Sequence, residues 1–255
     1  MLLAFTRAVS PTLADCELTH LQREPLDVAR AAQEHAAYET VLARLGATVL
    51  HLPSEPDLPD AVFVEDTAIV LDEIAVVTRP GAPSRRHVTA STAAALAAYR
   101  PLVHVRAPAT LDGGDVLAAQ RRIYVGLSTR TNRAAVEQLA AALAPLDYEV
   151  IPVAFTGCLH LKSGVTRVAD GLLLINPDWV DPGSFVGYRA LPVDPAEPHA
   201  ANALPVGGSV IHPAHHPRTR ARLEAEGLRV EPVTMTELTK AEAGVTCCSL
   251  LLQQA

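Results

Sequence analysis

A repeat of 42 to 48 residues runs through this 255-residue chain and limits its possible folds more than any other feature. In each repeat a helical segment is followed by a strand and then by a hairpin whose first strand begins at a polar residue. Periods of about 20–50 residues are typical of solenoids and closed rings. Five repeats account for the whole chain. Their polar residues are Asp66, Asp112, His160, Asn202 and Cys247.

The periodicity of apolar residues predicts the elements of each repeat. The first helix begins after Asp27, whose carboxylate can cap it, and ends before Gly46. Further helices are predicted at 86–99, 133–143, 181–188 and 218–226. Strands are predicted at 1–9, 47–53, 61–71, 74–78, 102–106, 115–119, 123–126, 149–153, 164–168, 172–176, 189–193, 206–212, 228–233 and 245–253.

Pairing of the first and last strands would clasp the chain ends together, which favours a ring over an open solenoid. Equivalent strand ends in a ring converge on one axis, so Asp112, His160 and Cys247 can meet there. No linker, charge run or low-complexity segment divides the sequence. We therefore predict an α/β fold in a single domain, residues 1–255.

Composition excludes several classes of protein. The formal net charge of −7 argues against nucleic acid and anionic membranes as partners, and aromatic residues at 4% are too few for a base-stacking platform. No segment approaches the ~18 apolar residues of a membrane span. The N-terminus lacks a signal-peptide pattern, and four cysteines make a poor disulfide framework, so we predict a cytoplasmic protein. No metal site is predicted, although adjacent Cys247 and Cys248 could bind metal adventitiously.

Cysteine, histidine and carboxylate are the parts of a thiol nucleophile, its acid–base partner and an orienting group. A free cysteine is more often a small buried apolar residue, so neither Cys247 nor Cys248 is assigned by its type alone. Asp112 and Asp115 lie three residues apart, and either could orient His160. The adjacent glycines between them would allow a close approach of the chain at Asp112.

Six short motifs, in the same order along the chain, resemble those of the dimethylarginine dimethylaminohydrolase family. The resemblance runs from about residue 26 to 253 and is weakest at 178–215. The motifs are FVED at 63–66, TRPGAPSRR at 78–86, LDGGDV at 111–116, VGLSTRTN at 125–132, HLKSG at 160–164 and TCCS at 246–249.

This resemblance implies a five-bladed α/β propeller of ββαβ units, with pseudo-fivefold symmetry about a central active-site channel. It also implies hydrolysis of Nω-methylated L-arginine to L-citrulline and a methylamine, through a covalent cysteine intermediate and without metal or organic cofactor. The catalytic residues would be Cys247 as nucleophile, His160 as general acid and base, and Asp112 as its orienting carboxylate. The residues implied to bind substrate are Leu18, Asp60, Phe63, Glu65, Asp66, Arg85 and Arg130.

Within that set, Glu65 and Asp66 would hold the guanidinium, and Arg85 and Arg130 the substrate carboxylate. Asp60 and the Leu18 backbone would lie near the α-amino group. The partner is thus a small cationic amino acid, bound by a monomer or homodimer. Alternatives are a related hydrolase or deiminase acting on arginine, hydroxyarginine or citrulline, or a non-catalytic propeller that only binds. A non-catalytic ring would not need converging cysteine, histidine and acid.

Overall fold

Within residues 1–254, which the computed structural model describes, fifteen strands form five sheets of three strands each. Every sheet joins an antiparallel hairpin to a third strand that runs parallel to the hairpin's second strand. A crossover segment connects the second and third strands. We call each such unit a blade. Ala255, the last residue of the predicted domain 1–255, lies outside the described residues.

Blade 1 contains β15 (Leu250–Gln253), β1 (Leu2–Thr6) and β2 (Ala47–His51); blade 2 contains β3 (Ala68–Val70), β4 (Ala75–Val77) and β5 (Leu102–His104). Blade 3 contains β6 (Val116–Ala119), β7 (Arg122–Leu127) and β8 (Glu149–Ala154). Blade 4 contains β9 (Val165–Ala169), β10 (Leu172–Ile175) and β11 (Arg189–Pro192), and blade 5 contains β12 (Leu204–Val206), β13 (Ser209–Pro213) and β14 (Val230–Val233). The α-helices are α1 (Val28–Arg44), α2 (Thr89–Leu96), α3 (Arg133–Leu143), α4 (Leu161–Gly164), α5 (Pro217–Ala225) and α6 (Thr236–Thr239).

The predicted clasp of the chain ends is confirmed. β1 pairs antiparallel with β15, with Leu2 opposite Gln253 and Phe5 opposite Leu250. Helix α1 then crosses to β2, which pairs parallel with β1. The helix begins as predicted, because the Asp27 carboxylate accepts the Arg30 N–H at 3.0 Å. Both chain ends therefore belong to one blade.

Five apolar clusters close the ring, and each fills the space between two successive blades. Leu3 and Leu252 of blade 1 share a cluster with Ala68 and Ala75 of blade 2, and the next three clusters join blades 2 to 5 in turn. The fifth, which contains Ala4 and Ile211, returns from blade 5 to blade 1. A central cavity of about 240 Å³ is lined by residues from all five first strands or the turns before them. The blades thus surround one axis, as the repeat predicts.

Several predicted element boundaries are wrong. The expected strand 61–71 is a 3₁₀ turn at Val64–Thr67 followed by short β3, and in the expected strand 245–253 only Leu250–Gln253 is extended. The expected helix 181–188 is a single 3₁₀ turn at Pro182–Ser184. The expected strand 206–212 is a hairpin, because Gly207 and Gly208 both adopt positive φ and reverse the chain. Among the described residues, no helix has the length and apolarity that crossing a membrane requires.

Candidate active site

Tight turns precede the first strands of the blades and carry the polar residues of the repeat toward the axis. Asp66 lies in the 3₁₀ turn Val64–Thr67, and Asp112 immediately precedes another at Gly113–Asp115. A strand would point Glu65 and Asp66 to opposite faces. The 3₁₀ turn instead buries both carboxylates. The 3₁₀ turn that replaces the predicted strand therefore allows two adjacent acids to serve one site.

His160 is buried between two carboxylates. Its Nε2 lies 3.1 Å from Asp112 Oδ2, and its Nδ1 lies 3.9 Å from Asp66 Oδ1. The second oxygen of Asp112 accepts the Gly81 N–H at 2.9 Å, which fixes the carboxylate. Burial opposes a charged imidazole, but Asp66 and Asp112 outweigh it and raise the pKa of His160 to about 9. The ring is consequently an imidazolium at neutral pH.

Two glycines allow these groups to approach one another. A Cβ on Gly114 would lie 2.6 Å from His160 Nδ1, and one on Gly113 would lie 2.0 Å from the Glu65 carbonyl oxygen. Either side chain would displace part of the site. The expectation that Gly-Gly permits close approach at Asp112 is confirmed.

Arg85 lies at the centre of an acidic cluster. Its guanidinium donates to Asp66 at 2.8 Å and lies 3.6 Å from Asp60 and 3.7 Å from Asp112. Burial opposes ionisation of Asp66, but His160 and Arg85 lower the pKa of this carboxyl to about 2. The face of Phe63 covers the other side of the guanidinium, with the ring centroid 5.7 Å from Arg85 Cζ. Asp66 is therefore an anion across the physiological pH range.

Cys247 is half-buried in the turn before β15, and its Sγ accepts the Gly244 N–H at 3.3 Å. Burial raises the pKa of its thiol to about 12, with the charges of Glu65 and Asp66 adding to the effect. No hydrogen bond joins Cys247 Sγ to His160 among the described residues. Cys248 is fully buried in the apolar cluster that contains Ala31, Tyr38 and Leu42 of α1. The thiol that faces the acidic cluster is that of Cys247.

Glu65 and Arg130 have distinct surroundings. Glu65 accepts from Lys162 Nζ at 2.5 Å and from Thr246 Oγ1 at 2.7 Å. Arg130 is buried, and its Nη2 donates to Thr19 Oγ1 at 2.9 Å. Its Nη1 has no hydrogen-bond partner within residues 1–254 and lies 4.0 Å from Asp112. A buried guanidinium nitrogen without an acceptor is suited to an incoming carboxylate.

Asp66, Asp112 and His160 each place one potential metal ligand within 4.8 Å of the others. The Arg85 guanidinium already contacts both carboxylates, so a divalent cation bound by these three residues would lie against a buried positive charge. Asp66, Asp112 and His160 therefore do not require a divalent cation to offset their charge. That the site works without metal or cofactor stays a prediction.

Comparisons with known proteins agree with this geometry. A family model described as N,N dimethylarginine dimethylhydrolase, eukaryotic, matches residues 19–182. An N(G),N(G)-dimethylarginine dimethylaminohydrolase of Streptomyces coelicolor is 40% identical over 253 residues, which covers 98% of this chain and 97% of the relative. This chain belongs to the dimethylarginine dimethylaminohydrolase family. The resemblance read from the six motifs is confirmed.

Solved structures of the dimethylarginine dimethylaminohydrolase family share the whole fold. A Pseudomonas aeruginosa enzyme, as a cysteine-to-serine mutant complexed with citrulline, superposes with a TM-score of 0.93 at 31% identity, covering 98% of both chains. The N-terminal domain of a cyanobacterial arginine dihydrolase superposes with a TM-score of 0.89 at 18% identity and covers 99% of this chain and 98% of that domain, a likeness of fold alone. The predicted five-bladed α/β propeller is thereby confirmed.

Asp112 and Asp115 have different hydrogen-bond partners in the structure. Asp115 accepts the Leu161 N–H at 3.0 Å and the Ser128 hydroxyl at 2.7 Å, so it anchors the backbone beside His160 and does not contact the imidazole. In this member of the dimethylarginine dimethylaminohydrolase family, Asp112 and not Asp115 is the carboxylate that hydrogen-bonds the ring. Asn202, the polar residue of blade 5, bonds the Lys162 carbonyl and the Thr246 hydroxyl, both at 3.0 Å.

Sequence reasoning missed Lys162 and Thr246, the partners of Glu65. The only indication in the sequence that Lys162 and Thr246 belong to the site is that each lies in a motif with a predicted catalytic residue. Leu18, predicted to contribute its backbone, is half-buried against the apolar cluster that also contains Phe63 and contacts Cys247. That its backbone lies near the substrate α-amino group stays a prediction.

The raised pKa of Cys247 leads to a first prediction. Alkylation of Cys247 by a neutral reagent should accelerate steadily from pH 7 to pH 10 without levelling off, because the reactive thiolate is a minor species below a pKa of about 12. Quantifying the Cys247 peptide by mass spectrometry measures this rate. A plateau with an apparent pKa below ~7, the range of pre-formed thiolates, would contradict it.

Proposed function

We propose that this protein hydrolyses Nω-methylated L-arginine, including asymmetric dimethylarginine and monomethylarginine, to L-citrulline and a methylamine. The observation that supports this best is the imidazolium of His160, held by Asp112 beside an acid-rich cluster that faces the Cys247 thiol. An anionic group would be repelled by those carboxylates, and a neutral one would gain no charge attraction from them. A guanidinium would be attracted by them and would bring the positive charge that the thiol needs to ionise.

In the proposed reaction the bound guanidinium lowers the pKa of Cys247, whose proton passes to water. The thiolate attacks the guanidinium carbon, and the imidazolium of His160 gives its proton to the methylamine nitrogen as that C–N bond breaks. A positively charged S-alkyl thiouronium on Cys247 remains. Glu65 and Asp66 fix the guanidinium for this attack, which supplies proximity.

His160 is then neutral and takes a proton from the water that attacks the thiouronium carbon. The C–S bond breaks, which releases citrulline and returns Cys247 and the imidazolium. General acid–base assistance of this kind contributes ~10²–10⁴ in rate. Asp112 holds the same imidazole nitrogen throughout, so the other nitrogen, near Asp66, is the one that exchanges protons with substrate and water.

The amino-acid end of the substrate is assigned to Arg130, Arg85 and Asp60. Arg130 Nη1 lacks a hydrogen-bond acceptor among the described residues, whereas Arg85 already bonds Asp66. We therefore infer that Arg130 is the principal ligand of the substrate carboxylate. Arg85 would serve both that carboxylate and the arrangement of the acidic cluster.

A second prediction separates the two arginines. Arg130→Ala should raise KM at least about 30-fold with a smaller change in kcat, because truncating one partner of a buried charged pair costs ~2–5 kcal/mol. Arg85→Ala should lower kcat as well, since Asp66 and Asp112 lose their common cation. Steady-state kinetics with monomethylarginine and with its decarboxylated analogue measure both effects. Equal losses on the two substrates in Arg130→Ala would contradict carboxylate binding.

The activity itself is tested by a panel of asymmetric dimethylarginine, monomethylarginine, arginine, agmatine and citrulline, scored for the ureido product or ammonia. Turnover of the methylated arginines above the others supports the proposal. Preference for arginine would indicate a deiminase, and no turnover at all a binding protein.

We also propose that the enzyme acts in the cytoplasm as a monomer or homodimer, without nucleic-acid or membrane partners. All four cysteines are free, which suits a reducing compartment. The acidic net charge of −7 disfavours polyanionic partners. Light scattering on the purified protein distinguishes the two oligomeric states.

A further inference from the structure

Residues 17–24, which we call the strap, contribute His20, Leu21, Gln22 and Glu24 to the lining of a cavity of about 400 Å³. The strap contains no helix or strand. The cavity wall includes Gly244, whose N–H bonds Cys247 Sγ, and Leu159, which precedes His160. The strap therefore lies beside the turn that carries the nucleophile.

Three successive N–H groups of the strap bond to one carboxylate. Glu242 accepts from Thr19 at 3.0 Å, from His20 at 2.5 Å and from Leu21 at 2.6 Å. No backbone carbonyl within residues 1–254 accepts from these three N–H groups. Consecutive N–H groups directed at one point form an anion-binding nest. Glu242 thus accepts the N–H hydrogen bonds that backbone carbonyls accept in helices and strands.

Two further contacts of the strap involve residues assigned to the substrate. Arg130 donates to the Thr19 hydroxyl at 2.9 Å, and Asp60 accepts the Glu17 N–H at 3.2 Å. A substrate carboxylate and ammonium compete for those same groups. Glu242 takes no part in the proposed binding of substrate, so its bonds to the strap can persist when substrate enters.

Glu242 also has an unusual backbone, with φ at +59°. A side-chain-bearing residue rarely adopts this conformation, and such strain concentrates at functional sites where the surroundings enforce it. Here the left-handed turn directs the carboxylate toward the strap. Residues 19–24 of the strap have exposed side chains, including Leu21, so few apolar contacts would retain that part of the segment without Glu242.

We propose that Glu242 is a positioning residue that holds the strap closed over the substrate by binding the N–H groups of Thr19, His20 and Leu21. This inference rests on the proposed function for its effect on kinetics. It assigns to Glu242 a role in KM, because the affinity for substrate falls in proportion to the fraction of enzyme with the strap closed.

Two variants and one control test this role. Glu242→Gln keeps the shape of the side chain but removes its charge, and Glu242→Gly removes the carboxylate while relieving the positive φ. Glu137→Gln removes the same charge from the exposed face of α3 and serves as the control. Tryptic cleavage after Arg23, within the strap, reports opening without any turnover. Arg23 is protected in the closed strap because its side chain bonds the carbonyls of Ala14 and Cys16.

We expect both Glu242 variants to be cleaved after Arg23 about tenfold faster and to show a similar rise in KM with a smaller change in kcat, while Glu137→Gln matches the wild type. Cleavage at the wild-type rate, or faster cleavage with an unchanged KM, would overturn the proposal. If the wild-type enzyme does not hydrolyse methylated arginine, the proposed function is wrong. Unchanged cleavage after Arg23 in the Glu242 variants would refute the role of Glu242 independently of that result.

Discussion

Cys247→Ser is expected to reduce kcat at least about 10³-fold, because a serine hydroxyl is a far weaker nucleophile in a site that has no neutral base positioned against it. The imidazole of His160 is protonated at neutral pH and cannot activate the hydroxyl. The Cys247 thiol can ionise when a guanidinium lies beside it. The serine hydroxyl, with its much higher pKa, cannot be rescued in the same way.

Cys248→Ala is the matched control. Cys248 has no exposed surface and packs in the cluster that includes Tyr38, so its loss should cost about 1 kcal/mol of unfolding free energy and leave kcat nearly unchanged. Denaturant unfolding and kinetics on both variants check the pair. An active Cys247→Ser together with an inactive Cys248→Ala would show that the nucleophile is one residue further along the chain.

His160→Gln should lower kcat by ~10²–10⁴, since it removes the acid for the leaving amine and the base for water. The pH profile gives a sharper test. Below the His160 pKa of about 9, the free enzyme holds a proton on the Cys247 thiol and a second proton on the His160 imidazolium. The reactive form has a Cys247 thiolate and a His160 imidazolium, so it carries one proton fewer. In the wild type kcat/KM should therefore rise with pH and level off near pH 9, and this break should disappear in His160→Gln.

His87→Gln is the control for this substitution, because the side chain of His87 is exposed at the start of the blade 2 crossover whereas that of His160 is buried. It should retain both the wild-type rate and the break near pH 9. Retention of the break in His160→Gln would assign that titration to another group and would remove His160 from the proton transfers.

Much of this protein could be read from local patterns. The repeat predicted five α/β units in a ring and the pairing of the two chain ends, because burial periodicity is a property of each segment by itself. The motifs marked Cys247, His160, Asp66 and Arg85 as residues of one site. The helix that begins after Asp27 was recognisable because a capping carboxylate acts within three residues of its own position.

Other features depend on which segments the closed ring brings together. The 3₁₀ turn at Val64–Thr67 exists where alternation predicted a strand, since Glu65 and Asp66 there bond to Cys247 and Gly114 in the turns of other blades and not within a sheet. Glu65 bonds to Lys162, which is 97 residues away in sequence, and Glu242 bonds to strap residues that are more than 220 residues away. No local pattern encodes such charge pairing. Asp112 and Asp115, equivalent in sequence, differ only because His160 lies against one and its neighbouring backbone against the other.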